Sequence, residues 1–201
     1  MKKTFTILGI LVVAALVATL WERVDDAFLR KTYPQKYAES VEKYAAEYDV
    51  PESVVYAVIK TESGFTPDAV SLKGAIGLMQ ITPDTFDWLC SKTGGEANAL
   101  LLYEPDTNIR YGTYFLSLLH NEYKAWDTVY AAYNAGRGRV NSWLASEEYN
   151  NNGRLKNIPY EETASYVKKV EKAQSVYARL YYGENGGATA ASSTNKKNKR
   201  I

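Results

Sequence analysis

Apolar positions along this chain recur at helical spacing, and the alternation typical of a half-buried strand is almost absent. Over residues 34–48, Tyr37, Val41, Tyr44 and Tyr48 fall three or four positions apart, as on one face of an amphipathic helix. The same spacing returns in most later segments of the chain. The sequence therefore predicts an all-α globular domain.

Capping residues and prolines indicate where the further helices begin and end. We predict six helices after the first, at these places: from Pro51 to Ser63, from Thr82 to Gly94, from Pro105 onward, from Trp126 to Asn134, from Val140 to Ser146, and from Pro159 onward. The polar run between the last two, "SEEYNNNGRLKN", is predicted to be a loop. Gly112, in the fourth helix, is expected to allow a close helix crossing.

The N-terminal segment is the longest apolar stretch of the chain. Residues 4–21, "TFTILGILVVAALVATLW", carry no charge and are long enough, as a helix, to cross a bilayer. Lys2 and Lys3 precede this segment and acidic residues follow it, so the chain after it is expected outside the cytoplasmic membrane. A cleaved signal peptide is the alternative, because "VAA" and "LVA" resemble a weak cleavage site. The length and Trp21 favour an uncleaved anchor over residues 1–21.

Composition divides the rest of the chain into three parts. Residues 22–33 are expected to form a juxtamembrane linker or helix, residues 34–182 the folded domain, and residues 183–201 a disordered basic tail. Because most of the excess positive charge lies at the two ends, the folded domain is mildly acidic, which argues against nucleic acid as its partner. The tail either contacts anionic envelope polymers or lipid headgroups or, as we favour, only solubilises the chain.

Cys90 and His120 are each the only residue of their type, which limits the chemistry of the domain. A lone cysteine cannot form an internal disulfide, and no Cys or His cluster offers the usual ligands of a zinc site. No activating base accompanies His120, so a His-based catalytic triad is excluded. We expect neither a metal nor a cofactor.

The segment "VIKTESGF" places a charged residue on an apolar helix face. Val58 and Ile59 lie four and three positions before Glu62, so its carboxyl group shares the apolar stripe of its own helix. Gly64 is a C-cap signal, which places that carboxyl at the negative end of the helix dipole. Burial and the dipole both raise the pKa of the carboxyl, and a protonated carboxyl group can serve as a general acid.

Two further segments carry residues suited to binding a ligand. In the loop after the helix, Gly74 and Gly77 let the backbone approach a ligand closely, and Gln80 offers it both a donor and an acceptor. Tyr133 and Asn134 lie at the end of a later helix, just before a glycine. These residues form the candidate binding site.

Each candidate also has a purely structural explanation. The carboxyl of Glu62 can point into solvent or pair with Lys60 or Lys73, and helix geometry alone favours that explanation. The glycines suit a tight surface turn, and Asn134 belongs to a residue type that often ends helices.

Four sequence blocks distinguish between these explanations. They are "ES" with Ser71 nine residues after the glutamate, then "GAIGLMQITP", "AAYNAGRGRV" and "IPYEETASYVKKV". In this order they resemble the lytic transglycosylase domain of the soluble-lytic-transglycosylase (SLT) type, which is related to goose-type lysozyme. The resemblance covers about residues 35–182, and the conjunction of four blocks makes it highly specific.

The resemblance implies a lysozyme-like helical fold with a groove that binds the glycan strands of peptidoglycan. At the matching motif positions, Glu62 is expected to be the catalytic acid and base, with Tyr166 approaching it. The residues expected to line the site and contact the muramoyl sugar are Ser71, Gln80, Tyr133 and Asn134. Met79 is expected in the groove wall or core. Thr82 stands where relatives often have methionine, which bears on fine subsite preference.

A glycosidase ordinarily needs two carboxylates, and the motif supplies only one. Asp68, Asp84 and Asp87 are nearby in sequence, but none is expected to be a second catalytic group. The reaction implied by the resemblance needs none, because the C6 hydroxyl of the muramoyl sugar attacks its own C1 and closes a 1,6-anhydro ring. Such a tethered nucleophile reacts at a high effective molarity, so one residue can act as acid and then as base.

Two alternatives to this function stay open from the sequence. One is a lysozyme-type hydrolase of the same fold, in which water is the nucleophile. The other is a non-catalytic wall-binding scaffold anchored in the membrane. A position at the wall would also bring the domain near partners in the envelope or in a secretion apparatus.

Overall fold

The structure, a computed structural model, describes residues 26–183. The predicted anchor over residues 1–21 and all of the predicted tail except Gly183 lie outside the described residues. The described chain falls into two compact units, which divide between Pro34 and Gln35. In the first unit, residues 26–32 are helical. Among residues 26–183, no helix combines the length and the apolar composition needed to cross a membrane.

The second unit is built of helices with one short hairpin. Its helices are α1 (Ala38–Tyr48), α2 (Glu52–Glu62), α3 (Pro83–Thr93), α4 (Pro105–Tyr123), α5 (Trp126–Ala135), α6 (Arg137–Leu144) and α7 (Glu161–Tyr177). A 3₁₀ helix spans Ala99–Tyr103, and one π-helical turn spans Ala178–Tyr182. Strands β1 (Asn150–Asn151) and β2 (Arg154–Leu155) pair antiparallel, with Asn150 opposite Leu155. The prediction of a mainly helical domain is confirmed.

Two helix starts and one predicted loop differ from the prediction. Helix α1 begins at Ala38, because Tyr37 adopts a left-handed conformation with φ of 59° that a helix cannot include. Helix α6 begins at Arg137, directly after the cap of α5, and so starts earlier than predicted. The run predicted to be a loop contains the β1–β2 hairpin, whose turn places Asn152 and Gly153 at positive φ.

Helix α2 is the central helix of the unit. Every residue from Ser53 to Ile59 is buried, so the apolar surface extends around the helix rather than along one stripe. Its most extensive packing is against α7, where the rings of Tyr56 and Tyr177 stack with centroids 5.2 Å apart. The prediction of a one-sided stripe was wrong. Glu62 instead lies at the point where a fully buried helix reaches the surface.

Gly112 does not serve a crossing of two helices. A Cβ atom at this position would lie 2.3 Å from Sδ of Met79, so the glycine leaves room for that side chain. Met79 is fully buried, which confirms the core as its place. The Met79 side chain, from the segment that follows α2, therefore packs against α4 at Gly112.

Candidate active site

The site begins where α2 ends. Ser63 caps the helix, and its hydroxyl donates to the carbonyl of Leu78 at 2.8 Å, tying the helix end to the next segment. Gly64, with φ of 58°, then turns the chain away in the left-handed conformation of a C′ glycine. The side chain of Glu62 is half-buried at this end of the core helix.

The carboxyl of Glu62 has an unusual protonation equilibrium. Its pKa is raised to about 7, because burial raises it by more than the hydroxyl of Tyr166, which donates to Oε1 at 2.6 Å, lowers it. Desolvation penalises the charged form, and the hydrogen bond favours it. The result is a carboxyl group that holds or releases a proton near neutral pH.

Two tyrosines on neighbouring helices border this carboxyl. Tyr166 on α7 and Tyr133 on α5 both have a pKa well above the ordinary range, because burial and the negative charge of Glu62 disfavour a phenolate. Both hydroxyls therefore stay protonated and act as donors. That of Tyr133 donates to the carbonyl of Met79 at 2.8 Å.

The segment from Ala69 to Ile81 folds back on itself beside α2. Isolated bridges pair Ile76 with both Val70 and Ile81, and the Gly77 amide donates to the carbonyl of Ala69 at 2.9 Å. Ser71 closes one turn of this segment, since its hydroxyl accepts from the Ala75 amide at 3.0 Å. The predicted site residue Ser71 thus has a structural hydrogen bond in the free protein. We call residues 69–81 the site loop.

Gln80 braces the site loop with both of its donors. Its Nε2 donates to the carbonyls of Ala69, at 3.0 Å, and Gly77, at 2.9 Å. These bonds hold the residue at φ of 51°, a left-handed conformation that is uncommon for a residue with a side chain. The side chain was expected to offer a ligand a donor and an acceptor, but only the acceptor Oε1 is without a bond in the described chain.

Asn134 joins the end of α5 to the start of α7. Its Oδ1 accepts from the hydroxyl of Thr163 at 2.9 Å, and no hydrogen bond from residues 26–183 reaches its Nδ2. The residue is exposed, and Gly136, two positions later, caps the helix. Helix termination therefore does not explain Asn134, whose amide is available as a donor.

The neighbouring charged side chains bear on the structural alternatives for Glu62. Lys73 pairs with Glu162, with 3.6 Å between Nζ and Oε1, rather than with Glu62. The three nearby aspartates, which are Asp68, Asp84 and Asp87, are all exposed. No group of three or more His, Cys, Asp or Glu side chains suited to a metal ion occurs among residues 26–183.

A small cavity adjoins the site loop. It has a volume of about 60 Å³ and is lined by Gln80, Ile81, Thr82, Thr85, Phe115 and Tyr133. Thr82 also caps α3, because its hydroxyl accepts from the Thr85 amide at 3.3 Å. The residue that departs from the family pattern therefore lines this cavity directly.

Asn108 is a further residue of the site, which was not among those predicted from the sequence. This side chain is fully buried on α4 and hydrogen-bonds the backbone of the site loop at Met79 and Ile76. The signal was present in the sequence, because Asn108 shares a helix face with Phe115 and Leu119, both buried. A polar residue on an apolar face, which drew attention to Glu62, marks this position too.

Residues 39–155 match the family model "Transglycosylase SLT domain". Over 182 residues the chain is 32% identical to the soluble lytic murein transglycosylase of Escherichia coli (strain K12), covering 85% of this chain and 26% of that relative. It is 29% identical to the membrane-bound lytic murein transglycosylase C of Haemophilus ducreyi, covering 73% of this chain and 46% of the relative. The chain thus spans between a quarter and a half of these relatives.

The fold agrees with solved structures of similar proteins. The 70 kDa soluble lytic transglycosylase from Escherichia coli superposes with a TM-score of 0.72 at 29% identity, covering 89% of this chain and 29% of that chain. An inactive mutant of the lytic transglycosylase Slt from Pseudomonas aeruginosa gives a TM-score of 0.71 at 30% identity, covering 81% and 27%. Since the family model spans more than half of the chain, this protein belongs to the Transglycosylase SLT domain family.

Proposed function

We propose that this protein is a peptidoglycan lytic transglycosylase. It cleaves the β-1,4 bond between N-acetylmuramic acid and N-acetylglucosamine and leaves 1,6-anhydro-muramoyl ends. The observation that carries the proposal is the half-buried carboxyl of Glu62, whose pKa of about 7 makes it both a proton donor and a proton acceptor at neutral pH. Support comes from the family, and from a Pseudomonas aeruginosa relative whose inactive mutant replaces one glutamate by glutamine.

In the first half of the reaction Glu62 is the general acid. Its carboxyl proton moves to the glycosidic oxygen, the bond from that oxygen to C1 breaks, and the N-acetylglucosamine end leaves with a free hydroxyl. Positive charge develops at C1 of the muramoyl sugar. The carbonyl oxygen of the sugar's own acetamido group stabilises that charge, so no second carboxylate is required.

In the second half the same residue is the general base. The carboxylate takes the proton of the C6 hydroxyl, and O6 bonds to C1 of the same sugar to close the anhydro ring. The hydroxyl of Tyr166, 2.6 Å from Oε1, stabilises the carboxylate between the two steps. Because the nucleophile is already attached to the electrophile, the ring closure has an entropic advantage over attack by water.

The hydrogen-bonding capacity of the site suits an N-acetylated sugar. Gln80 and the Tyr133 hydroxyl have their protons engaged by loop carbonyls, so they present acceptors to a sugar hydroxyl or acetamido N–H. Asn134 presents the opposite, a donor for a carbonyl or hydroxyl oxygen. Ser71 is proposed to exchange its bond to the loop for one with the substrate.

A lysozyme-type hydrolysis is the rival reaction, and its products differ. Purified peptidoglycan is digested with the protein and with its Glu62→Gln variant, and the released fragments are identified by mass spectrometry. Anhydro ends that are released by the wild-type protein and not by Glu62→Gln support the proposal. Reducing ends establish the hydrolase. Binding of glycan strands without any product establishes the wall-binding scaffold.

We also propose that residues 1–21 anchor the protein in the cytoplasmic membrane, with residues 34–182 as the catalytic domain on the wall side. The support is the uncharged apolar segment with lysines before it. Residues 22–33 then form the linker and residues 183–201 the basic tail, and any envelope or secretion partner binds on the wall side.

Protease added to spheroplasts should degrade the catalytic domain while the anchor stays in the membrane fraction. Recovery of a shortened soluble chain would identify a cleaved signal peptide.

A further inference from the structure

The buried side-chain amide of Asn108, on α4, holds the site loop in place through hydrogen bonds to its backbone. Its Oδ1 accepts from the amide of Met79 at 2.8 Å, and its Nδ2 donates to the carbonyls of Ile76, at 2.9 Å, and Leu102, at 2.8 Å. The side chain is fully buried. Acceptor and donors of the amide group are thus all used, and two of the three bonds go to the site loop.

The site loop approaches Asn108 as closely as the chain permits. A Cβ atom at Gly77 would lie 2.2 Å from Nδ2 of Asn108 and 2.4 Å from the carbonyl oxygen of Leu102. Gly77 also has φ of 80°, which residues with a side chain rarely adopt. Gly77 and the side-chain amide of Asn108 are therefore in close contact, which fixes the distance between the site loop and α4.

The peptide groups at Met79 connect this contact to the reacting region. The Met79 amide donates to Asn108, and the Met79 carbonyl accepts from the Tyr133 hydroxyl at 2.8 Å. Tyr133 is close enough to Glu62 for the carboxylate charge to raise the pKa of its hydroxyl. A continuous path of hydrogen bonds therefore leads from a buried residue on α4 to a hydroxyl beside the candidate acid.

We propose that Asn108 is a positioning residue of the transglycosylase reaction, which acts through the Met79 backbone to hold the Tyr133 hydroxyl in place. Asn108 does not itself contact the substrate. It keeps the proton of Tyr133 directed at the Met79 carbonyl, so that the phenol oxygen is left as an acceptor for the substrate. This inference rests on the proposed function, because its effect is read in the rate of that reaction.

The test compares Asn108→Ala, Tyr133→Phe and the double variant in the full-length protein, with purified glycan strands as substrate. Asn108→Ala is expected to lower kcat/KM about 10- to 100-fold, the range for misplacing a positioned group by about an ångström. The double variant is expected to lose less than the product of the two single losses, because both changes interrupt one path. The pH midpoint of kcat/KM should stay where it is in the wild type, since the hydrogen bond from Tyr166 that acts on the pKa of Glu62 is not part of this path.

Thr113→Val is the matched control. Thr113 lies on the same helix, is also fully buried, and its hydroxyl has no hydrogen-bond partner in the described chain. It should keep wild-type kinetics, and thermal melting should show every variant folded at the assay temperature. If Asn108→Ala does not fold, Asn108→Leu, which keeps about the volume of the side chain but removes all of its hydrogen bonds, is judged by the same criteria.

The outcomes separate this inference from the proposed function. Wild-type kcat/KM in a folded Asn108 variant overturns the positioning role, and so do losses that multiply fully in the double variant. A shifted pH midpoint in Asn108→Ala also overturns it, because the site would then have collapsed rather than lost one constraint. Absence of anhydro product from both the wild type and Thr113→Val would instead reject the proposed function.

Discussion

At the scale of single residues, Glu62 combines two opposing influences on one carboxyl group. Burial at the end of the core helix favours the protonated form, and the hydroxyl of Tyr166 favours the carboxylate. A carboxyl dominated by either influence alone would be fixed as acid or as base. Their balance leaves both forms populated near neutral pH, which a residue that must first give and then take a proton requires.

The balance predicts how the rate depends on pH. In the proposed reaction the first step needs protonated Glu62, so kcat/KM should fall as the pH rises through about 7. Tyr166→Phe removes the bond that lowers this pKa, so the fall should move to higher pH. The same change should lower the maximal kcat/KM about tenfold or more, as expected for losing a hydrogen bond to a charged group.

Tyr130→Phe controls for the loss of a buried phenol hydroxyl. Tyr130 lies on α5 and donates to Oε1 of Gln174 at 2.7 Å, and burial raises the pKa of its hydroxyl as well. The pH profile of this variant should coincide with that of the wild type. An equal displacement in both variants would mean that Tyr166 does not act on Glu62 specifically.

The raised pKa of Glu62 also has a consequence for stability. Between the ordinary glutamate pKa and about 7 the folded protein binds more protons than the unfolded chain, so the free energy of unfolding falls as the pH rises through this range. Glu62→Gln removes the cost. The variant should be more stable than the wild type by up to about 3 kcal/mol at about pH 8, and the difference should nearly vanish at about pH 4.

Urea unfolding at both pH values measures this difference. Asp87→Asn, which removes a carboxylate from the exposed surface of α3, controls for the loss of one negative charge. A Glu62→Gln variant that is equally stable or less stable at the higher pH would show that the folded protein does not disfavour the carboxylate.

At the scale of elements, local signals located the helices well. Pro83 and Pro105 open α3 and α4 at their first positions, as the sequence predicted, because a proline there gives up an N–H that the first turn does not use. The burial of α2 on all sides was harder to predict from the sequence. Its neighbour α7 follows about a hundred residues later, and only the assembled fold shows that both sides of α2 are covered.

The site could be predicted only in part, for the same reason. Glu62 and Asn108 each give a local signal, a polar residue on an apolar face. The bond between Tyr166 and Glu62 joins residues 104 positions apart, and only the family resemblance suggested it. The engaged donors of Gln80 depend on loop carbonyls whose positions the sequence does not reveal.

Two glycines of the site loop allow its packing to be tested. Gly74 and Gly77 have similar φ values of 76° and 80°, but a Cβ atom at Gly74 meets nothing within 4 Å, whereas one at Gly77 meets Asn108 and Leu102. Gly74→Ala should destabilise by about 1 to 2 kcal/mol through its backbone conformation alone. Gly77→Ala should cost about 1 to 3 kcal/mol more, because it also overpacks the core.

Chemical unfolding measures the stabilities of the two glycine variants. Their kcat/KM on glycan strands shows whether the same changes also affect activity. Gly77→Ala should also lose activity, since the loop must move away from Asn108. Equal stabilities for the two variants would mean that the contact between the site loop and α4 is not tight.

At the scale of the whole molecule, the site is assembled where separate elements end. Helix α2 supplies the proposed acid, the site loop and the end of α5 supply the proposed hydrogen-bonding groups, and α7 supplies the tyrosine that contacts Glu62. The region that matches known lytic transglycosylases makes up 26% of the Escherichia coli relative.

The central claim is that a single carboxyl group directs the substrate's own hydroxyl, rather than water, to C1. Digestion of purified peptidoglycan in heavy-oxygen water tests it most directly, with the fragments weighed by mass spectrometry. We expect wild-type fragments that are lighter than hydrolysis products by one water and carry no label, and no fragments from Glu62→Gln. Labelled reducing ends, or native cleavage by Glu62→Gln, would contradict the account.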